Sequence, residues 1–245
     1  MKITLFIPTL NEEEGLKAIM PRVPHQLFEQ ILVVDGQSRD NTVKVAKDMG
    51  YDVYIQKKKG IRNAYIEAWP LIKGDVVLTF SPDGNCIPED IVPLIEKMKK
   101  GYDMVIASRY YQGAKSEDDD PVTTFGNWLF SSLISLLHGA HYSDAMTIYR
   151  IYNKDLFYAL DLDKENTYSV EKIFRTTIGI EPILSIRAAK MKLKTGDIPS
   201  DEPKRIAGER KLQIVRWGGS YMLQVFREIF YWHGKKQRTT VNNRA

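Results

Sequence analysis

Two oxygen-bearing side chains close an apolar segment in the first half of the sequence. The segment VVLTFSPDGNCIPED, residues 76–90, begins as a predicted buried strand and continues through Asp83, Gly84 and Asn85. Hard divalent cations prefer oxygen ligands, and Mg²⁺ commonly takes one or two protein groups together with phosphate oxygens. Asp83 and Asn85, separated by a permissive glycine, are therefore candidate metal ligands, and a simple tight turn is the alternative reading of this triplet.

Further polar side chains follow the other predicted strands. They are Thr9, Asn11 and Glu12 after the first strand, Asp35 at the end of the second, and Ser108 with Arg109 after the fifth. Open α/β sheets bind ligands beyond the carboxyl ends of their strands, so we expect these groups to share one rim with the candidate metal ligands. The sequence contains neither G-x-G-x-x-G nor G-x-x-x-x-G-K-[ST], which argues against a dinucleotide-binding fold and a P-loop. A bound diphosphate would then be neutralised by a divalent cation.

Five short runs rich in β-branched residues predict the strands that position these groups. They cover residues 2–8, 30–35, 51–56, 75–81 and 103–108. Helical patterns lie between them, at 40–50, 61–73 and 89–100. This alternation predicts an α/β fold with an open, mostly parallel sheet flanked by helices on both faces.

The second half of the sequence departs from this alternation. Its predicted elements are helices at 124–139 and 168–179, a strand-like stretch at 181–194, a polar loop at 197–211, an aromatic-rich helical segment at 212–234 and a disordered tail at 235–245. Gly218 and Gly219 interrupt the helical pattern of 212–234. The aromatic stripe of this segment predicts core packing or a homodimer interface, with an in-plane membrane helix as the alternative.

Composition limits the classes of protein open to this sequence. Its 245 residues predict one domain, or one core with an appended lobe. The formal net charge of +4 is too small to indicate nucleic-acid binding, and the single cysteine, Cys86, excludes an internal disulfide. The first apolar run is too short for a signal peptide, and no run reaches the ~18 apolar residues of a membrane-spanning helix. We therefore expect a cytoplasmic protein, with any membrane contact peripheral and on the inner face.

Six motifs occur in the order and spacing typical of family 2 glycosyltransferases. They are IPTLNEEEGL, VVDGQSRDNT, SPDGN, ASRY, DAMTIYRIYNKD and RIAGERKL, which together extend over about residues 2–212. The sequence most resembles the polyprenyl-phosphate sugar transferase branch, typified by dolichol-phosphate mannose synthase. This resemblance implies the GT-A fold, with a nucleotide-sugar binding half at 1–110 and a smaller acceptor half at 111–212.

The resemblance also implies roles for residues of the nucleotide-sugar half. The residues implied to bind the nucleotide are Pro8, Leu10 and Glu12, which would line its pocket, and Asp35, which would accept a hydrogen bond from the base or ribose. Asp83 and Asn85 fall on the D-x-D metal motif of the family, with asparagine in place of the last aspartate. The implied cofactor is Mg²⁺ or Mn²⁺. Gly36 stands where the family usually has a second aspartate, which leaves the identity of the base open.

Other implied roles concern the transfer itself. Arg109 would meet the diphosphate or the acceptor, and DAMTIYR places Asp144 and Arg150 on a further family motif. RIAGERKL places Arg205 and Lys211 in a loop that closes over the donor. Asp144 is the candidate general base if the acceptor is a sugar hydroxyl. The four cationic side chains of these motifs favour an acceptor that is already anionic, such as a lipid phosphate. They are Arg109, Arg150, Arg205 and Lys211.

The predicted reaction is metal-dependent transfer, with inversion, of a sugar from a UDP- or GDP-linked donor. Its predicted acceptor is a polyprenyl phosphate, and a saccharide hydroxyl is the alternative. The departing nucleoside diphosphate gains negative charge, which a metal ion and Arg or Lys donors stabilise without a general acid. A non-catalytic sugar-nucleotide sensor is a rival hypothesis, because Gly36 and Asn85 depart from the family pattern. A sugar-phosphate nucleotidylyltransferase would carry a G-x-G-T-R turn where this sequence has PTLNEEE.

Overall fold

The computed structural model describes residues 1–206 and 214–234, and this part of the chain contains one seven-stranded sheet with helices on both faces. The strands are β1 (Ile3–Thr9), β2 (Gln30–Asp35), β3 (Asp52–Ile55), β4 (Val76–Thr79), β5 (Met104–Ser108), β6 (Arg150–Asn153) and β7 (Thr195–Pro199). The α-helices are α1 (Glu13–Ile19), α2 (Thr42–Asp48), α3 (Ile61–Ala68), α4 (Ile91–Met98), α5 (Pro121–His138), α6 (Leu156–Ala159), α7 (Glu171–Phe174), α8 (Glu181–Lys190) and α9 (Ile214–Tyr231).

The strand order in the sheet is β3-β2-β1-β4-β6-β5-β7. Neighbouring strands pair in parallel except around β6, which runs antiparallel to both β4 and β5. The open, mostly parallel sheet predicted from the sequence is confirmed, and the five predicted strands correspond to β1–β5. All strands except β6 therefore end at the same edge of the sheet, and the segment that leads into β6 arrives at this edge as well.

Alternating side chains of β1 bury against helices on the two faces of the sheet. Ile3, Leu5 and Ile7 belong to one core, which includes apolar residues of α1, α2 and α4. Phe6 belongs to the other core, which includes residues of α3, α6, α8 and α9, and its ring stacks on Tyr65 at 4.8 Å between centroids. Each fully buried apolar side chain of this size stabilises the fold by about 1.5–3 kcal/mol. The two cores hold the strand ends in fixed positions.

The predicted strand at 181–194 is wrong, because Glu181–Lys190 forms helix α8. Nine of its ten residues are buried, so the helix has no solvent-exposed polar face. Its sequence therefore lacks the alternation of apolar and polar faces, at 3.6 residues per turn, that indicates a surface helix. The polar loop predicted for 197–211 is also wrong at its start. Residues Thr195–Pro199 form β7, which pairs in parallel with β5.

The helix predicted at 168–179 is reduced to two short pieces, a 3₁₀ turn at Glu165–Tyr168 and α7. By contrast, α5 begins three residues before its predicted start. Asp120 caps it by accepting a hydrogen bond from the Thr123 backbone N–H at 2.8 Å, and Pro121 occupies its first turn. The helix ends at Gly139, whose φ of 73° is the left-handed conformation typical of a C-cap.

Helix α9 continues through both glycines that were predicted to interrupt it. A Cβ on Gly219 would approach the Phe174 ring to 2.5 Å, so this glycine allows α7 to pack closely on α9. A buried ion pair also fixes the helix, since the Arg187 guanidinium donates to both carboxylate oxygens of Glu228 at 3.0 Å. Core packing of α9 is therefore observed. The tail at 235–245 lies outside the described residues.

Candidate active site

A cavity of about 640 Å³ opens at the edge where the parallel strands end. One end of its wall is polar, and the groups there are Asp83, Asn85, Arg109, Asp118, Glu202 and Arg205. Helices α5 and α9 also line the cavity, mainly with the apolar side chains of Val122, Phe125, Leu129, Phe130, Trp217 and Met222. The cavity therefore joins a charged corner to a surface suited to hydrocarbon.

The polar corner contains the two predicted metal ligands. Asp83 Oδ1 accepts a hydrogen bond from the Asn85 backbone N–H at 3.1 Å. The Asn85 side chain donates through Nδ2 to the Pro203 carbonyl at 2.9 Å, while its Oδ1 is buried and has no hydrogen-bond partner among the described residues. A buried carbonyl oxygen without a donor costs free energy unless a ligand satisfies it. Asn85 Oδ1 and the Asp83 carboxylate, which line the same cavity, are thus chemically suited to a hard cation.

Arg109 lies between three carboxylates at the end of β5. Its guanidinium donates to Asp144 through Nε at 2.6 Å and through Nη2 at 3.1 Å. Its Nη1 lies 3.4 Å from both Asp119 and Glu202. The side chain is only 12% exposed, and the part that remains exposed faces the cavity. The structure therefore brings Arg109 and Asp144 together, as the strand directions require.

Asp144 is fully buried and both of its oxygens are occupied. Besides Arg109, its Oδ1 accepts from the backbone N–H groups of Met146 and Thr147. Burial alone would raise the pKa of this carboxyl, but the adjacent Arg109 charge and the backbone donors lower it below its ordinary value. A buried, strongly hydrogen-bonded carboxylate is a weak base, so the site geometry favours a role for Asp144 in orienting Arg109.

Loops on both sides of the cavity supply acidic groups that the sequence analysis missed. Arg205 Nε donates to Asp118 at 3.0 Å, and the Ser116 hydroxyl donates to Glu202. Burial raises the pKa of Glu202, although the Arg109 charge opposes this shift. Both Asp118 and Glu202 line the cavity. Glu202 follows the end of β7, and this position could have indicated a site residue. It was not recognised from the sequence, because residues 197–211 were predicted to be a loop.

The residues predicted to bind the nucleotide are distributed along the ends of β1 and β2. Pro8 lines the cavity, whereas Leu10 is exposed at the rim and the Glu12 backbone N–H donates to the Thr42 hydroxyl at 2.8 Å. Asp35 is buried, and its carboxylate accepts from the Gln37 and Ser38 backbone N–H groups at 2.9 Å. The Asp35 carboxylate therefore stabilises the turn at residues 35–38, which follows β2.

Two other predicted residues lie away from the cavity surface or beyond the described chain. Arg150 is fully buried and donates to the backbone carbonyls of Ala145 and Thr147 and to the Ser185 hydroxyl. It supports the segment that carries Asp144 from behind the cavity. Lys211 lies outside the described residues.

Glycosyl transferase family 2 is the family that matches this sequence, over residues 4–161, and the chain belongs to it. It is accordingly a glycosyltransferase, as the sequence motifs predicted. It is 31% identical over 254 residues to a dolichol-phosphate mannosyltransferase of Pyrococcus furiosus, and the match covers 97% of this chain and 66% of that protein. It is 28% identical over 220 residues to a dolichyl-phosphate hexose transferase of Haloferax volcanii, with 89% of this chain and 90% of that protein covered. Among relatives, the chain is thus similar to the predicted polyprenyl-phosphate branch.

Solved structures confirm the predicted GT-A fold. A glucosyl-3-phosphoglycerate synthase from Mycobacterium tuberculosis, in complex with Mn²⁺, UDP and glucosyl-3-phosphoglycerate, matches with a TM-score of 0.59 and 17% identity. The match covers 93% of this chain and 79% of that chain. At this identity, the comparison establishes the shared fold.

The described residues contain neither a dense cluster of metal-ligating side chains nor a helix that could span a membrane. No cluster of three or more His, Cys, Asp or Glu suited to a metal ion occurs within 1–206 and 214–234. An ion at Asp83 and Asn85 would therefore need ligands from the substrate, which is usual for Mg²⁺ bound to phosphates. Within the same residues, no helix is both long enough and apolar enough to span a membrane.

Proposed function

We propose that this glycosyltransferase moves a sugar from a UDP- or GDP-linked donor to a polyprenyl phosphate, with inversion at the anomeric carbon and with Mg²⁺ or Mn²⁺ as cofactor. The observation that carries the proposal is the cavity, because it joins the charged corner to the apolar wall of α5 and α9. A lipid phosphate has the same division into an anionic head and a hydrocarbon chain. The polyprenol-linked names of the relatives support this acceptor class.

Asp83 and Asn85 would hold the divalent cation. The unsatisfied Asn85 Oδ1 and the neighbouring carboxylate fit a cation that completes its coordination with diphosphate oxygens. When bound, the cation would neutralise negative charge on the departing diphosphate.

Arg109 and Arg205 are suited to grip phosphate groups in the cavity. Both line it, and both are paired with carboxylates of the loops around it. A phosphate group would compete with these carboxylates for the guanidinium donors, since charge-assisted hydrogen bonds to phosphate are strong. During transfer, an acceptor phosphate oxygen forms a bond to the anomeric carbon as the bond to the diphosphate oxygen breaks. This nucleophile is already anionic and needs no general base.

The position of Asp144 argues for a phosphate acceptor over a saccharide hydroxyl. A hydroxyl acceptor needs a base within hydrogen-bond reach. Asp144, the predicted base, is fully buried behind Arg109, and Arg109 and backbone donors occupy its oxygens. The geometry therefore supports the acceptor that does not require Asp144 to remove a proton.

A transfer assay with defined acceptors tests the proposal. The protein is incubated with Mn²⁺, a panel of UDP- and GDP-hexoses and a polyprenyl phosphate in detergent, and the lipid product is analysed by mass spectrometry. We expect a hexose linked to the polyprenyl phosphate, and we expect EDTA to abolish it. The matched control is the same polyprenol without its phosphate, which should remain unmodified. Transfer to a saccharide hydroxyl, or donor binding without turnover on any acceptor, would contradict the proposal.

The outer face of α5 is proposed to lie against the surface of a bilayer. Its 18 residues contain no Lys, Arg, Asp or Glu, and its exposed residues include Val122, Phe125, Trp128 and Leu136. Val122 and Phe125 also line the cavity, so an acceptor chain leaving the cavity would emerge on this face. An exposed, charge-free helix face that continues an apolar cavity fits a lipid surface. The proposed location is the cytoplasmic side of the membrane.

Liposome flotation tests this contact. Wild-type protein should float with liposomes, and a Phe125→Ser/Trp128→Ser variant should remain largely in the soluble fraction. The matched control is Ile55→Ser, which removes an exposed apolar side chain from the edge strand β3. Equal flotation of the α5 variant and wild type would contradict the contact. A soluble wild-type dimer that the α5 substitutions dissociate would assign the face to a second copy instead.

A further inference from the structure

Segment 200–206 is hydrogen-bonded directly to Asp83 and Asn85, the two proposed cation ligands. The Ile206 backbone N–H donates to the Asp83 carbonyl at 2.8 Å, and Asn85 Nδ2 donates to the Pro203 carbonyl at 2.9 Å. Gly84 has a φ of 99°, and a Cβ there would lie 2.9 Å from Ile206 Cγ1. The glycine therefore permits the close approach of this segment, which carries three charged residues of the cavity wall, Asp201, Glu202 and Arg205.

An asparagine ligand must present one particular end to a cation. Its carbonyl oxygen can bind the ion, whereas its NH₂ group is a donor that repels it. The Pro203 carbonyl accepts a hydrogen bond and can pair only with the NH₂ group. The contact at 2.9 Å therefore holds Asn85 in the orientation that turns Nδ2 to Pro203 and leaves Oδ1 without a donor among the described residues, free to bind a cation.

We infer that Asn85, a ligand of the proposed cation, couples the cation site to segment 200–206. The inference rests on the proposed function, because it assigns the regulation of that same site. We call the segment seated when it makes its hydrogen bonds to Asp83 and Asn85. The seated segment orients Asn85 Oδ1 for the cation. By linkage, a cation that binds this orientation more tightly must stabilise the seated segment by the same factor. Seating of the segment places Glu202 and Arg205 on the cavity wall.

An aspartate at this position would supply a charged oxygen but no donor for Pro203. Its carboxylate would face the Pro203 carbonyl, and two acceptors at hydrogen-bond distance repel each other. Asn85→Asp should therefore retain cation binding and release the segment. Asp83→Asn provides the opposite change. It removes the charge from the corner but leaves the Asp83 backbone carbonyl, which accepts from Ile206, and the Asn85–Pro203 contact unaltered.

Two measurements on the full chain separate these effects. Hydrogen exchange of the backbone amides of 200–206 reports seating of the segment, and calorimetric titration with Mn²⁺ alone reports the cation site. Without metal, we expect exchange to be about two- to tenfold faster in Asn85→Asp than in wild type, the factor that one hydrogen bond contributes. Asp83→Asn should exchange at the wild-type rate but bind Mn²⁺ at least about tenfold more weakly. Mn²⁺ should slow exchange in wild type and have no such effect in Asn85→Asp.

The outcomes distinguish this inference from the proposed function. Equal exchange rates in metal-free Asn85→Asp and wild type would overturn the coupling, whatever the protein catalyses. Faster exchange in Asp83→Asn, matching Asn85→Asp, would also overturn it, because general loosening of the corner would then explain both variants. Undetectable Mn²⁺ binding by wild type would instead contradict the cation site in the proposed function.

Discussion

Arg109 joins the acidic groups of three chain segments at one point. Its partners are Asp144 before β6, Asp119 before α5 and Glu202 after β7. The sequence motifs predicted that Arg109 and Asp144 belong to one site. They did not predict Asp119 or Glu202, because acidic loop residues are usually solvated and carry no local signal of burial. At the residue scale, the sequence motifs predicted Arg109 and Asp144. Asp119 and Glu202 could be assigned to the site only from the way the loops pack around Arg109.

Removing the Arg109 charge should destabilise the fold through Asp144. In Arg109→Met, the fully buried Asp144 carboxylate loses its cation, which we expect to lower the free energy of unfolding by about 3–5 kcal/mol. Urea denaturation measures this change. The matched control is Arg22→Met, which breaks an exposed Arg–Glu pair and should cost less than about 1 kcal/mol. Similar losses of unfolding free energy in both variants would show that the burial of Asp144 does not determine how much its ion pair contributes to stability.

Glu202 should make stability depend on pH. Burial raises its folded-state pKa above the ordinary value of 4.5, so its protonated form stabilises the fold and this contribution is present below pH 4.5. The contribution is lost as the pH rises through the folded-state pKa. Glu202→Gln does not titrate there, so its free energy of unfolding relative to wild type should increase from about pH 4 to pH 7. Urea denaturation at several pH values measures the difference, and a difference independent of pH would contradict this prediction.

At the level of secondary structure, the regular βα alternation of the first half was predictable and the second half was not. Each of β1–β5 is an apolar run bounded by turn-forming residues. Helix α8 is buried on nearly all sides and resembles a strand in sequence, whereas β7 has the sequence TGDIP and resembles a loop. Strand β6 pairs antiparallel between β4 and β5, an arrangement that depends on distant partners. Local patterns do not contain this information.

Helix α9 should be an integral part of the fold. Glu228 and Arg187 are both fully buried, so Glu228→Ala would leave the Arg187 guanidinium without its carboxylate and should lower the free energy of unfolding by about 3–5 kcal/mol. A double variant, Arg187→Met/Glu228→Leu, replaces the pair with apolar groups of similar size and should recover part of this loss, because the Leu160 and Asp161 carbonyls still lose their Arg187 donor. Chemical denaturation measures both variants. A loss below about 0.5 kcal/mol in Glu228→Ala would indicate that α9 is only loosely attached.

At the scale of the whole molecule, the sequence predicted the GT-A fold but not the shape of the cavity that is proposed to bind the acceptor. The polar corner arises from strand ends, whose common edge follows from parallel pairing. The apolar wall combines α5 with α9, which lie about 80 residues apart in the chain and meet through contacts such as that of Phe130 with Tyr221. Neither helix alone indicates a cavity, because an apolar stripe is also the usual sign of core packing.

The measurement that tests the proposed metal-dependent diphosphate site most directly is a thermal unfolding series with UDP and GDP, with and without Mn²⁺. A ligand that binds the folded state raises Tm according to its concentration and affinity, with about 2.7 kcal/mol of stabilisation at 100 times Kd. We predict that one of the two nucleotides raises Tm of the wild-type protein only when Mn²⁺ is present, and that Asp83→Ala abolishes this increase. An equal increase without metal, or an unchanged increase in Asp83→Ala, would contradict the account.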